Sequence, residues 1–279
     1  MSDLRTAIGE AVGVRPLKLT PLSGGCVGDV YRVELEDGRR LVAKAGDAGS
    51  GLGIEGYMLS YLAAHSRLPV PQVLHADDGL LLMTWIETSG SLDDSAESHA
   101  AELLADLHGI AAPRFGLDRD TLIGGLPQPN PWTGSWVEFF RDRRLLHMGH
   151  RAGLPARTLA RLETFCARLG TWIAEPAAPA LLHGDMWGGN VLCRKGRIAG
   201  FIDPAIYYGD PEIELAFSTL FGTFGEAFFR RYGELRPLRP GFFEERRDIY
   251  NLYPLLVHVR LFGGSYLGSV ERILSRFGC

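Results

Sequence analysis

His183-Gly184-Asp185-Met186-Trp187-Gly188-Gly189-Asn190-Val191-Leu192, followed by Phe201-Ile202-Asp203-Pro204-Ala205, is the part of this chain that governs how the rest is read. Asn190 lies five residues after Asp185, and Asp203 thirteen after Asn190. The preceding segment EPAAPA, at 175–180, carries two prolines that sustain neither a helix nor a strand ladder, so it reads as a loop. Two short strands are expected at 190–193 and 198–202, joined at the turn Lys195-Gly196. A loop of this size can aim Asp185 outward and return Asn190 to the same point, and the hairpin can carry Asp203 back to it.

Two carboxylates and an amide brought together in this order suit phosphoryl transfer. Magnesium takes hard oxygen ligands and keeps some water, so Asn190 and Asp203, completed by ATP phosphates, make a sensible incomplete cage. Asp185 can then orient a hydroxyl and accept its proton. The spacing is that of a kinase catalytic loop followed by a metal-binding aspartate. In the competing reading, Asp185 caps a turn and Asn190 satisfies loop backbone. His183 is expected to bond the Asp203 backbone or to brace Asp185, since direct proton transfer by the imidazole is redundant.

Working outward to the N-terminal side, Lys44 lies in the strand VAKA, where a partly buried ammonium needs a partner. Glu55, eleven residues later on a helix expected over 54–65, can supply it and fix Lys44 against ATP phosphates. Ser23 to Asp29 reads SGGCVGD, which matches neither GxGxxG nor a P-loop. Its backbone at Gly24, Gly25, Cys26 and Gly28 can still cover phosphates. Cys26 is either an oxidisable loop thiol or a residue without chemistry. Met83, Trp85 and Ile86 follow an apolar strand, and backbone there can bond an adenine edge. Trp85 is either packing or an adenine platform.

The 279 residues suffice for two lobes, expected at 1–88 and 89–279. The first reads as strands and turns around one helix. In the second, helical periodicity is expected at 94–109 with Asp94 or Ser95 as cap, at 135–147, 156–173, 242–261 and 266–277, and after the Asp210 cap and Pro211. The fold class is therefore α+β. A net charge of −4 gives no reason to expect nucleic acid, and Arg141, Arg143 and Arg144 read as a wet helix face. Four scattered cysteines form no CxxC pair, so no zinc site or disulfide framework is expected. The N-terminus lacks secretory features and the apolar runs are short for a membrane span, so a cytoplasmic protein off the membrane is expected. A monomer or weak dimer is the expected state.

These motifs together resemble the fructosamine kinase, or ketosamine 3-kinase, family, related in fold to aminoglycoside and choline kinases. The resemblance spans nearly the whole chain, through SGGCVGDVYRV, LADLHGI, IGGLPQPNPWTGSWVEFF, LLHGDMWGGNVL, FIDPAIYYGDPEIELAF, LFGTFGEAFF and LYPLLVHVRLFGGSY. It implies a two-lobed protein-kinase-like fold with ATP and magnesium in the cleft. It further implies that Asp185 is catalytic, that Asn190 and Asp203 are metal ligands, and that Lys44 with Glu55 positions phosphates. The implied activity moves the γ-phosphoryl group to O3 of a ketosamine, made from fructose, ribulose or erythrulose. The product sheds its sugar and frees the amine, which repairs glycated amines or proteins. The family segment at Pro127, Gln128, Asn130, Trp132 and Trp136 frames the acceptor side by the same analogy. Gln128 and Asn130 bind sugar hydroxyls or serve turns. Trp187, Tyr207 and Tyr208 shape the acceptor pocket or pack the core. Cys26, Asp29 and Met186 depart from the family pattern, the first two within the glycine loop. The rivals are a kinase for an aminoglycoside or choline-type alcohol and a noncatalytic nucleotide-binding regulator. The neutral PQPNPW cluster favours a sugar carrying an amine over a strongly cationic acceptor.

Overall fold

Leu4, Ala7, Ile8 and Ala11 recur at helical spacing, and this stripe folds as helix α1 (Ser2–Val12), packed on a sheet through the fully buried Ile8. The computed structural model describes residues 2–22, 29–47 and 49–279. The sheet is five-stranded and antiparallel. It comprises β1 (Pro16–Pro21), β2 (Asp29–Leu35), β3 (Arg40–Ala45), then, after helix α2 (Leu52–His65), β4 (Val73–Ala76) and β5 (Leu80–Thr84), in the order β1-β2-β3-β5-β4. The lobe thus has two helices where the sequence suggested one. α1 is weakly signalled in the sequence because its apolar stripe is short and half of it is alanine.

Strand alternation decides what this lobe offers. Leu41, Ala43, Leu80 and Leu82 face α1. Their neighbours Val42, Leu81 and Met83 pack with α2 on the other face, and Lys44, paired in register with Leu81, shares it. A one-residue slip of β3 would send Lys44 to the α1 side, away from Glu55.

The larger lobe is mainly helical. In chain order it contains α3 (Asp94–Leu107), the hairpin β6 (Thr121–Ile123) and β7 (Leu126–Gln128), α4 (Trp136–Phe139), a π-helical stretch (Phe140–Leu146), α5 (His147–Arg151) and α6 (Ala156–Ala167). There follow β8 (Ala180–Leu182), β9 (Val191–Arg194), β10 (Arg197–Phe201), β11 (Tyr207–Gly209), α7 (Pro211–Leu220), α8 (Glu226–Leu235), α9 (Arg247–Phe262) and α10 (Leu267–Arg276). The molecule has the two-lobed protein-kinase-like fold, with a small sheet lobe and a larger helical one. No helix among the described residues is long and apolar enough to cross a membrane.

Local chemistry corrects two expectations. The cap of α3 is Asp93, whose carboxylate accepts the Ala96 N–H at 2.9 Å, one residue ahead of the expected position. Arg144 is no wet residue, because it follows the buried Phe140 by four positions and falls on the inward face. Its guanidinium lies 4.0 Å from the Tyr207 ring and 4.5 Å from that of Phe139, and donates to Pro129 O at 2.8 Å and Asn130 Oδ1 at 2.6 Å. Arg141 and Arg143 remain at the surface.

Two small sheets hold the central loops. β9 and β10 form a hairpin whose turn residues, Lys195 and Gly196, both have positive φ, at 51° and 69°. β8 pairs with β11, with Leu182 opposite Tyr207, so His183 and Ile206 flank the same end of this pair.

Candidate active site

Gly184 is the pivot of the first loop. Its φ is +87°, and a Cβ there would lie 2.0 Å from the Ala205 carbonyl oxygen, so no other residue fits without displacement. The loops are laced together by Ala205 N–H to His183 O at 2.7 Å and Ile202 N–H to Asn190 O at 3.1 Å. Between them Asp203 takes a left-handed conformation, with φ +53°, which turns its side chain into the cleft.

His183 is fully buried, and both ring nitrogens are engaged. Nε2–H donates to Ile202 O at 3.1 Å, while Nδ1 accepts the Asp185 N–H at 3.4 Å. The backbone carbonyl it holds belongs to Ile202 rather than Asp203. Burial lowers its pKa, so the ring is neutral and serves as a strut between the loops.

Asn190 donates through Nδ2 to Asp185 O at 2.8 Å and to Asp185 Oδ2 at 2.9 Å, which leaves its amide oxygen for another partner. Lys44 crosses from the small lobe, bonding Glu55 Oε1 at 2.7 Å and Asp203 Oδ1 at 2.6 Å. Burial pulls the Lys44 pKa down, but the two carboxylates outweigh it and hold the ammonium charged. Two of its three N–H groups are used by these carboxylates, so the third is available to an anion. Burial pushes the Asp185 carboxyl up to about 7, opposed by the Asn190 amide and reinforced by the Asp203 and Glu214 charges.

Three cavities meet on these residues. One of about 270 Å³ lies between Val30 and Val42 above and Leu192 and Ile202 below, edged by Met83, Trp85 and Ile86. Its largely apolar lining suits a heteroaromatic ring. Among the described residues no carbonyl takes the Ile86 N–H. A second, of about 350 Å³, holds Lys44, Glu55, Asp185, Asn190 and Asp203. The Asn190 amide oxygen and the second Asp203 carboxylate oxygen give it a hard-oxygen pair that fits magnesium completed by phosphate and water. A third, of about 550 Å³, opens from Asp185 and Trp187 toward the ends of α7 and α9. The order is therefore ring slot, polar chamber, apolar chamber, with Asp185 at the last junction.

Several residues expected at the acceptor side are elsewhere. Gln128 is buried, with Nε2 on Thr121 Oγ1 and Ala205 O, both at 2.9 Å, and Oε1 accepting Tyr253 OH at 2.8 Å. Asn130 donates to Thr121 Oγ1 at 2.8 Å and receives Arg144. Their amides are consumed inside the lobe, and neither lines the large cavities. Tyr207 packs beneath Arg144, and Tyr208 shares a hydroxyl contact with Tyr61 at 3.1 Å and a ring contact with Trp132. Trp136 is fully buried. Of this group only Trp187 reaches the cleft, its indole lying over Gly189. Gly24, Gly25, Cys26 and Gly28 lie outside the described residues.

The sequence reading missed Glu214. This fully buried carboxylate on α7 accepts the Gly184 N–H at 2.6 Å and His108 Nε2–H at 2.8 Å, and His108 Nδ1 in turn receives the Tyr232 hydroxyl at 2.7 Å. An acid enclosed by Ile213 and Leu215 at the centre of a buried helix was the available signal. The aromatic residues of the third cavity, Phe217, Phe221, Phe262 and Tyr266, were also missed as site residues.

A family model described as fructosamine kinase matches residues 3–277. A candidate ketoamine kinase of Synechocystis sp. is 33% identical over 271 residues, covering 91% of this chain and 88% of the relative. The chloroplastic protein-ribulosamine 3-kinase of Arabidopsis thaliana is 32% identical over 287 residues, covering 96% of this chain and 85% of its own. A crystal structure of a candidate fructosamine-3-kinase from Thermobifida fusca superposes with a TM-score of 0.88 at 32% identity, over 99% of both chains.

Proposed function

This chain belongs to the fructosamine kinase family, and on that premise we propose that it transfers the γ-phosphoryl group of ATP to O3 of a ketosamine sugar. The observation that carries this reading is the junction of the polar and apolar chambers at Asp185, with Lys44, Asn190 and Asp203 facing the polar side.

The roles follow from the chemistry of each group. Adenine occupies the slot edged by Met83, Trp85 and Ile86, and the Ile86 N–H supplies a donor to its edge. The remaining Lys44 N–H holds a phosphate oxygen, while Glu55 keeps the ammonium aimed. Asn190 and Asp203 hold magnesium, which when bound neutralises charge on the phosphates. Asp185 accepts the hydrogen bond of the acceptor hydroxyl and takes its proton as the bond to phosphorus forms. His183 and Glu214 keep Asp185 at that point through its own and the Gly184 amide. Trp187 covers the acceptor sugar. A polycationic aminoglycoside is disfavoured, because among the described residues Asp185 is the one carboxylate lining the apolar chamber.

An ATP-consumption screen across fructose-, ribulose- and erythrulose-derived ketosamines, aminoglycosides and choline tests the reading. Turnover confined to the ketosamines supports it, and turnover confined to the other alcohols contradicts it.

Lys44→Met is expected to weaken ATP binding about ten- to a hundredfold, the worth of a hydrogen bond to a charged group, and nucleotide titration checks this. The pH dependence has a defined sign. The kcat/KM for ATP, which reports the free enzyme, falls as pH drops through about 7 and Asp185 gains its proton.

A further inference from the structure

The apolar chamber is larger than its catalytic neighbour and differs from it in chemistry. Its walls are aromatic and aliphatic, from Phe217, Phe221, Val257, Leu261, Phe262 and Tyr266. Among the described residues six large apolar side chains stand exposed, and three of them, Trp187 at 39%, Phe221 at 41% and Phe262 at 54%, line this one cavity. Exposed apolar side chains scattered singly need no explanation, whereas a contiguous group at a cavity mouth marks a surface built to be covered.

The charges are equally informative. No lysine or arginine lines the chamber, and the undescribed positions contribute none, being Met1, Ala48 and the stretch SGGCVG. Its single ionisable carboxylate is Asp185. His258 also lines the chamber, and its Nδ1–H donates to Pro254 O at 2.7 Å. That bond fixes the tautomer and leaves Nε2 as a lone-pair acceptor. Beside the Trp187 indole N–H and the Tyr266 hydroxyl, the chamber therefore offers two acceptors, Asp185 and His258 Nε2, and aromatic faces, with no lysine or arginine among the described residues.

A ketosamine presents to such a chamber a secondary amine with N–H donors and, beyond it, whatever the amine carries. The amine, protonated, suits aromatic faces and an imidazole acceptor. An apolar substituent covers the aromatic walls. A free carboxylate at the same point finds no lysine or arginine of the protein, loses water and approaches Asp185.

Resting on the ketosamine reading above, we propose that this chamber selects the carrier: it takes ketosamines whose amine bears an uncharged aromatic or aliphatic substituent and disfavours those retaining a free α-carboxylate. Phe221, Phe262 and His258 are the specificity-determining residues.

The test uses two fructosamine conjugates with the same aromatic ring, one of phenethylamine and one of phenylalanine, which differ only in the carboxylate. Their equilibrium binding to the full chain is measured by titration calorimetry. The phenethylamine conjugate is expected to bind about tenfold tighter or more. Phe262→Ala and Phe221→Ala should each weaken that conjugate about tenfold and leave ATP binding nearly unchanged. Equal affinities, tighter binding of the phenylalanine conjugate, binding of neither, or indifference to both substitutions would overturn the proposal. Because phosphate transfer is not read here, the two ideas fail separately. The stated binding preference without transfer to any ketosamine would end the kinase reading alone, while equal affinities with transfer at O3 would end the carrier proposal alone.

Discussion

Asp185→Asn is expected to lower kcat about a thousandfold and to leave ATP affinity within a few-fold of the native value. The amide keeps the shape of the carboxylate and can still sit beside Asn190, but it cannot accept a proton from the acceptor hydroxyl. The charged set that meets the phosphates, Lys44 with Asp203, is untouched. The part of the acidic limb that belongs to Asp185 should vanish with the rate, leaving that of Glu55, which burial also pushes up. Single-turnover phosphorylation with a nucleotide-binding measurement on the same variant checks both parts. A variant that transfers phosphate at the native rate would remove Asp185 from the mechanism.

The second large effect is on Gly184. In Gly184→Ala the new methyl meets the Ala205 carbonyl oxygen at 2.0 Å, in a backbone conformation that already disfavours side chains. That carbonyl cannot retreat freely, because Gln128 holds it at 2.9 Å. Strain of this kind costs about 1–3 kcal/mol before the clash is counted, so the expected loss is about 3 kcal/mol, with activity falling more than a hundredfold as Asp185 shifts. Gly153 is the control. Its φ of +69° carries a similar backbone cost, but nothing lies within 4 Å of an added Cβ, so Gly153→Ala should lose only about 1 kcal/mol and keep its activity. Thermal unfolding and turnover of the two variants separate backbone preference from close approach.

Much of this architecture is legible in the chain because it depends on short spacings. The strand placing Lys44, the helix placing Glu55 and the hairpin returning Asp203 are each local, and alternation or helical period determines which way each side chain faces. The 2.7 Å contact between Lys44 and Glu55 could therefore be anticipated from eleven residues of sequence. Contacts between distant elements are less accessible. Glu214 reaches His108 across 106 positions, and Tyr232 reaches the same ring across 124. The flanking Ile213 and Leu215 hint that this acid is buried, but nothing local names its partners.

Gln128 and Asn130 show a different limit. Their polar side chains in an aromatic segment read as sugar-binding groups or turn residues, and local chemistry does not say which. The deciding factor is the burial of Arg144, a cation that needs acceptors inside the lobe and takes the Asn130 oxygen, while Tyr253 takes that of Gln128. The acceptor-side aromatics were hidden for a related reason. Phe221, Phe262 and Tyr266 come from the ends of α7 and α9 and the turn beyond, each near glycines, where the helical period no longer says which side is inward. Only the packing of those ends around Trp187 turns them into a wall.

The most direct measurement is the position of phosphate on a ketosamine incubated with the protein and MgATP, read by phosphorus–proton coupling in NMR. The account predicts a single product phosphorylated at O3, formed by the native chain and not by Asp185→Asn. Phosphate on another hydroxyl, or consumption of ATP with the ketosamine recovered unchanged, would contradict it.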